Sequence, residues 1–317
     1  MKSPFDGLNT GISSPFGVRL SSAAFSPQSL FANGEEGAWL EAISGQVFTD
    51  TAGTTAAGLD DGIGNITALA GTVTEATQSD PNKRPLFKDP GADFDGTDDA
   101  IEVTIPAGGI TGEMYYASSA GKGVFGVNFA AGTRTFGTLN WRNNLHALIF
   151  VDRSFTASEA SGLDSRFDGV AGDFDTLVDG GRLFRDMGLT HIVEGYEWSS
   201  LEGASRMFGK NDLQEIPPGM RLPSLVNGRR MFRRNSNLAI VPSDFAADSD
   251  CTDWERAFED TGLTQQSIDN ILTNLAARGT SNGVFYQSGG SAPSATGEAA
   301  IDAMRGRGWT IFVTGGY

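Results

Sequence analysis

The chain has 317 residues, 39% hydrophobic and 20% charged, with 42 Gly and 21 Phe, which is enough apolar material for packed cores and excludes a disordered chain. Its 23 basic and 39 acidic side chains leave a formal charge of −16, which opposes the phosphate neutralisation that nucleic-acid binding requires. The single cysteine, Cys251, excludes an internal disulfide, and with two histidines it leaves too few ligands for a Cys/His zinc site.

No apolar run, Ala147 to Val151 included, approaches the ~20 residues of a membrane-spanning helix. The start of the chain, with Lys2, Pro4, Asp6 and Gly7, does not read as a signal segment. The expectation is synthesis in the cytoplasm, no membrane insertion, and exit, if any, inside an assembly released by lysis.

Residues 1–28 are rich in Ser, Pro, Gly and Phe and keep no helical or alternating period, so they read as an arm whose Phe5, Phe16 and Phe25 dock on a partner. Residues 29–168 read as β structure. The stretch from Ala100 to Pro106 alternates apolar and polar as a strand with one buried face does. Gly123 to Phe129, Thr135 to Leu139 and Leu145 to Val151 follow, each bounded by turn residues. Such short strands predict a sandwich or partial barrel. Thr156 and Glu159 then have the spacing of a capping box that opens a helix.

Residues 169–262 repeat. Leu177, Leu201, Leu225 and Cys251 open four aligned segments that close on Phe184, Phe208, Phe232 and Phe258, spaced 24, 24 and 26 residues apart. Arg182, Arg206, Arg230 and Arg256 stand two residues before each Phe. A second column holds Leu189, Leu213, Leu238 and Leu263, with Ile192, Ile216 and Ile240 just beyond it. The period is that of leucine-rich solenoids. One such unit cannot hide its apolar side chains, but stacked units can, at roughly 1.5–3 kcal/mol for each large side chain buried. Arginines stacked ~5 Å apart repel, so each of the four is expected to be paired within its own coil.

Residues 263–317 read as an α/β cap. Ile268, Ile271, Leu272 and Leu275 share one helical face with Gly279 as the stop, and a second helix over 296–305 lies between strands at 283–287 and 309–313. The fold class is therefore α+β and multidomain.

Several of these segments have a familial look. Ser29-Leu-Phe-Ala-Asn-Gly-Glu-Glu-Gly-Ala-Trp-Leu40, Phe48-Thr-Asp-Thr-Ala-Gly-Thr-Thr55, Phe94-Asp-Gly-Thr-Asp-Asp99 and Leu148-Ile-Phe-Val-Asp-Arg-Ser-Phe-Thr156 resemble a module of tail and fibre proteins of tailed bacteriophages and gene transfer agents. In that group the motifs flank a concanavalin-like (laminin-G-like) jelly roll. Residues 189–309 resemble phage-type BspA-like leucine-rich repeats, with endings like Gly262-Leu-Thr-Gln-Gln-Ser-Ile-Asp-Asn-Ile-Leu272 and Gly306-Arg-Gly-Trp-Thr310. The resemblance implies a virion component (head spike, tail fibre or tail-tip protein). It would be held by other virion proteins through the N-terminal arm, be homo-oligomeric (a trimer by analogy), and present a surface to host polysaccharide. The stretch from Asp99 to Leu148 is short for a full lectin-like jelly roll, so a trimmed sheet is expected.

No Gly-x-Ser-x-Gly elbow, P-loop or dinucleotide fingerprint occurs, so neither a catalytic residue nor a cofactor is assigned. Asp93, Asp95, Asp98 and Asp99, with Glu102, are calcium candidates of the oxygen-ligand type, although the same run reads equally as turn chemistry. Cys251 occupies the leucine column, His146 lies in an apolar strand and His191 stands beside Ile192, settings that read as structural rather than catalytic. From Ile216 to Ser243 there is no acid, while Arg221, Arg229, Arg230, Arg233 and Arg234 all occur, making a local positive field for an acidic polysaccharide or subunit face. The competing reading pairs them with Glu202, Asp212 or Glu255 of adjacent units. Trp198, Tyr196 and Tyr286 are candidates for stacking on sugar rings. The expected function is non-enzymatic host recognition; the alternatives are a virion-borne polysaccharide depolymerase (glycoside hydrolase or lyase) and a cell-surface adhesin.

Overall fold

A computed structural model describes residues 25–95, 97–137, 144–167, 171 and 174–317. Phe5 and Phe16 of the expected arm lie outside them. The chain is mixed α+β with mainly antiparallel sheets, arranged as a β-sandwich. Its strands, in chain order, are β1 (Gly37–Glu41), β2 (Val47–Phe48), β3 (Asn65–Thr67), β4 (Ala70–Gly71), β5 (Glu75–Thr77), β6 (Leu86–Phe87), β7 (Ala92–Asp93) and β8 (Ile101–Ile105). They continue with β9 (Ile110–Ser118), β10 (Gly121–Phe129), β11 (Gly132–Phe136), β12 (Asn144–Val151) and β13 (Leu189–Ile192). One sheet runs β13-β10-β9-β12-β1-β4, with β7 pairing β12 and β6; the other runs β11-β8-β5-β3-β2.

Alternation along the central strands explains the layering. Ala38 and Leu40, Met114 and Tyr116, and Leu148 and Phe150 point to the core shared with the second sheet. Trp39, Tyr115, Ala117, Ile149 and Val151 point the other way, onto the helix α1 (Ala157–Phe167) through its Leu163 and Phe167. A sheet covered on both faces loses its polar–apolar alternation. That is why β9, with the sequence ITGEMYYAS, shows no strand pattern although it is central. The capping box forms as expected: Thr156 N–H donates to Glu159 Oε2 at 2.7 Å, and Glu159 N–H to Thr156 Oγ1 at 3.2 Å.

The repeats stack. Parallel bridges join Asp179 to Gly203, Gly203 to Asn227 and Asn227 to Asp253. Between the first two coils Gly180, Arg182, Phe184 and Asp186 donate their N–H groups to the carbonyls of Gly203, Ser205, Met207 and Gly209 at 2.8–3.0 Å, and the pattern recurs at the next two interfaces. The phenylalanines form a column: Phe184 to Phe208, Phe208 to Phe232 and Phe232 to Phe258 have ring centroids 5.5, 5.6 and 5.5 Å apart and planes within 17°. Beside them, buried Asn211 and Asn235 bind successive coils together. Asn211 accepts from the N–H groups of Met187 and Leu189 at 2.9 and 3.1 Å and donates to the carbonyls of Phe184 and Phe208 at 2.7 and 3.0 Å.

One register in the repeat needs correction. Ile192 and Ile216 are buried, but Ile240 is 54% exposed and Val241 takes the core position at 2%. The third unit carries one more residue between its leucines, so the inward residue stays three beyond Leu238.

The β body and the coils share one hydrophobic cluster. Strand β13 of the first unit pairs antiparallel with β10, and Phe184 lies 4.5 Å from Phe125 and 5.5 Å from Tyr116. At the other end the fourth unit becomes β14 (Asp253–Phe258), followed by α2 (Gln265–Ala277), β15 (Val284–Gln287), α3 (Ala295–Arg305) and β16 (Thr310–Phe312). The three strands pair in parallel, and Phe285 prolongs the ring column at 6.1 Å from Phe258. Thr264 and Ser294 cap the two helices.

Candidate functional site

The structure disperses most sequence-predicted sites into the fold. Phe25, expected to dock on a partner, packs on the chain's own body, its ring 5.8 Å from Trp39 and against Gly162. Trp198 is 1% exposed and stacks on Phe174 at 4.8 Å, so it has no face for a sugar. Tyr196 packs against Phe125 and Phe174, and its hydroxyl accepts the Val124 N–H, which likewise makes it a core residue. Tyr286 lies against the exposed Phe312 at 5.8 Å.

Asp95, Asp98 and Asp99 do come together, with carboxylate oxygens within 4.8 Å of one another, while Asp93 is paired into β7. The group is a turn. Asp99 accepts the Asp95 N–H at 2.8 Å and Asp95 accepts the Thr97 N–H at 2.7 Å. Burial, reinforced by the neighbouring carboxylates, raises the Asp99 pKa.

Cys251 fills the leucine column at 2% exposure, with its thiol 3.2 Å from the Val226 carbonyl. Burial pushes its pKa up to about 11. At pH 8 the native protein is therefore expected to resist iodoacetamide, because the thiolate is the nucleophile, and to be labelled stoichiometrically in denaturant. Rapid labelling of the folded protein, read by mass spectrometry, would contradict this placement. His191 is also structural, with Nε2 3.8 Å from Glu113 Oε1 and its ring pressed on Gly126.

The basic segment divides in two. Arg221 pairs with Asp248 at 2.8 Å, Arg229 with Glu255 at 2.8 Å, Arg233 with Glu259, and Arg234 approaches Asp260 at 3.8 Å. Of the three acids expected as partners, only Glu255 serves. Arg230 is different: among the described residues it has no ion pair, and its Nε, like that of Arg229, is buried without a hydrogen-bond partner. Arg206 of the preceding coil has no carboxylate partner among the described residues either. Its pKa is pushed below the ordinary guanidinium range by burial and then by the charges of Arg182, Arg230, Arg185 and Arg229. Pairing within each coil, the sequence expectation, therefore fails for Arg206 and Arg230 among the described residues, while Arg256 lies near a carboxylate of its own coil, 3.8 Å from Glu255.

Left-handed backbone recurs twice in each unit: at Asp186, Lys210, Arg234 and Asp260, with φ of 63, 60, 63 and 58°, and four residues earlier in the arginine column. Arg182, Arg206, Arg230 and Arg256 have φ of 63, 60, 58 and 57°. In the first three units the turn is closed by Leu183, Met207 and Met231 N–H groups donating three residues back at 3.0–3.1 Å, and the arginine holds its third position, where glycine is the unstrained choice.

The arginines continue toward the β body. Arg185, close enough to act on both Arg182 and Arg206, lines a cavity of about 300 Å³ with Thr133, Arg134, Thr135, Phe136 and Asp186. Arg134 lies over Phe129, 4.9 Å from the ring centroid, and donates Nη2–H to the Asp186 carbonyl at 2.7 Å, while its Nε is buried without a partner. The site is thus a line of guanidinium groups running from a cavity at the sheet–coil junction across the stacked turns, on a molecule whose net charge is −16. Comparison with protein-family models, curated proteins and solved structures finds no match.

Proposed function

We propose that this chain is a non-catalytic recognition component of a tailed-phage or gene-transfer-agent particle. In this reading the β body is the jelly-roll module, and the coils form a short leucine-rich-repeat solenoid that displays a binding face for host-surface polysaccharide. The observation that carries it is a pair of stacked arginines, Arg206 and Arg230, without a carboxylate partner among the described residues, on a stack whose rings, asparagines and inter-coil ion pairs find theirs. Stacked units give such a face rigidity and a fixed spacing. Several copies on one particle multiply weak contacts into firm attachment.

The test uses the purified full chain. Added in excess, it is expected to block adsorption of the particle to encapsulated host cells and to have no effect on cells stripped of capsule. Equal adsorption with and without the protein would sink recognition. A fall in capsule viscosity, or new reducing ends, would replace binding by depolymerisation.

A further inference from the structure

We propose that the arginine strip, Arg230 and Arg206 prolonged by Arg185 to the Arg134 cavity, is the binding site of a linear anionic polysaccharide carrying one acidic group per sugar ring. The assignment rests on the recognition reading above and gives that reading a site and a charge. Folding does not account for the strip. A left-handed φ costs a residue with a Cβ about 1–2 kcal/mol that glycine avoids. Four units nonetheless hold arginine there, whereas the equally left-handed column four residues on holds Asp186, Lys210, Arg234 and Asp260. Neighbouring cations stacked on adjacent coils add repulsion, and no carboxylate offsets it at Arg206 or Arg230. The residue at this position lowers the stability of the stack, so its use lies in something that arrives from outside.

The geometry selects the ligand. Coils repeat at the 5.5–5.6 Å of the ring column, and each carries its arginine at an equivalent backbone position, close enough for Arg182 and Arg230 to act on Arg206, so the column offers one cation per coil. A uronate polymer matches such a row, because each pyranose ring carries one carboxylate and adds one ring length. A guanidinium meets a carboxylate with two parallel hydrogen bonds, the strongest charge-assisted arrangement open to it. Duplex DNA carries a charge every ~1.7 Å of axis and is repelled by a chain of net charge −16. Single strands need aromatic platforms, and the residues beside Arg206 and Arg230 in their turns, Ser205 and Arg229, offer none. The cavity, at about 300 Å³, is at the small end of ligand pockets and suits one terminal sugar, with Arg134 and Arg185 as its cationic walls.

Polygalacturonate, neutral dextran, an oligonucleotide and polyglutamate are the probes, with binding to the full chain measured by calorimetry at low salt. Wild type is expected to bind polygalacturonate and not dextran. The double variant Arg206→Gln/Arg230→Gln should lose at least about tenfold in affinity, the scale of losing two charge-assisted contacts. The control Arg221→Gln/Arg234→Gln removes the same charge from ion-paired positions and should change affinity less than about twofold, as expected of exposed pairs. Arg206→Gly should melt no lower than wild type, since it relieves strain and repulsion together, which keeps loss of binding separate from loss of fold. Equal losses in the two double variants, full binding by Arg206→Gln/Arg230→Gln, or equal binding of dextran, oligonucleotide or polyglutamate would each overturn the assignment. The two readings separate as well. A wild type that adsorbs to host cells together with a double variant that adsorbs equally removes the strip and leaves recognition standing. Strip-dependent binding of polygalacturonate without adsorption to host cells does the reverse.

Discussion

Asn211→Leu is expected to lower the unfolding free energy by about 4 kcal/mol, although leucine is similar in size and more apolar. The side chain is 4% exposed, and all four of its hydrogen-bonding positions are used. Leucine would leave the N–H groups of Met187 and Leu189 and the carbonyls of Phe184 and Phe208 facing an apolar interior. Each orphaned group costs about 1–3 kcal/mol, against about 1 kcal/mol gained by the better burial of leucine. Hydrogen bonding therefore decides the sign. The N–H of Leu189 also opens β13, which pairs with β10, so the loss spreads from the coils to the sheet edge. Urea unfolding gives the measurement, as a drop in midpoint at unchanged slope. A midpoint equal to or above wild type would mean that apolar burial, not the amide, holds the coils together. Asn235→Leu should follow at about 3 kcal/mol, since three bonds rather than four are lost, to Leu213, Phe208 and Phe232.

How much of this was legible in the sequence depends on how many units show it. The phenylalanine column recurs four times and is read directly. The asparagine stands three residues after the Phe in only two units; Met187 and Thr261 hold the equivalent places, so no column emerges until the hydrogen bonds are seen. Ion pairing was legible in part. Arg229, Arg233 and Arg234 meet Glu255, Glu259 and Asp260, each 26 residues on, which is the offset of Phe232 and Phe258. One unit earlier, the 24-residue offset puts Arg230 over Arg206, so the alignment itself carries the conflict that the expectation of intra-coil pairing set aside. Left-handed backbone at arginine was not legible, because residue type argues against it there. Nor were β9 and the packing of Trp198 and Tyr196. A sheet buried on both faces and a sandwich merged into the first coil depend on contacts between segments far apart in the chain, such as the 72 residues between Val124 and Tyr196, which no local pattern records.

The junction and the middle of the coil stack should respond differently to loss of a ring, and Phe232→Ala tests the middle. Phe232 is fully buried, nearly parallel to Phe208 and Phe258 at 5.6 and 5.5 Å, and meets the edge of Phe245 at 6.0 Å. Truncation removes the transfer energy of the ring and leaves a hole that the flanking coils cannot close, because four backbone hydrogen bonds on each side fix their spacing. The expected cost is about 3–5 kcal/mol. Phe232→Leu keeps most of the volume and should cost about 1.5 kcal/mol. At Phe184 the ring meets Phe125, Tyr116 and Phe174 as well as Phe208, so Phe184→Ala loosens the β body together with the coils. Native-state hydrogen exchange distinguishes the two. In Phe232→Ala, amides of the coils and cap should lose protection while β9 and β12 keep theirs. In Phe184→Ala, β10 and β13 should lose protection along with the coils. If both variants melt every element together by the same amount, the ring column and the sandwich are one cooperative unit, and the coils have no stability of their own to lose.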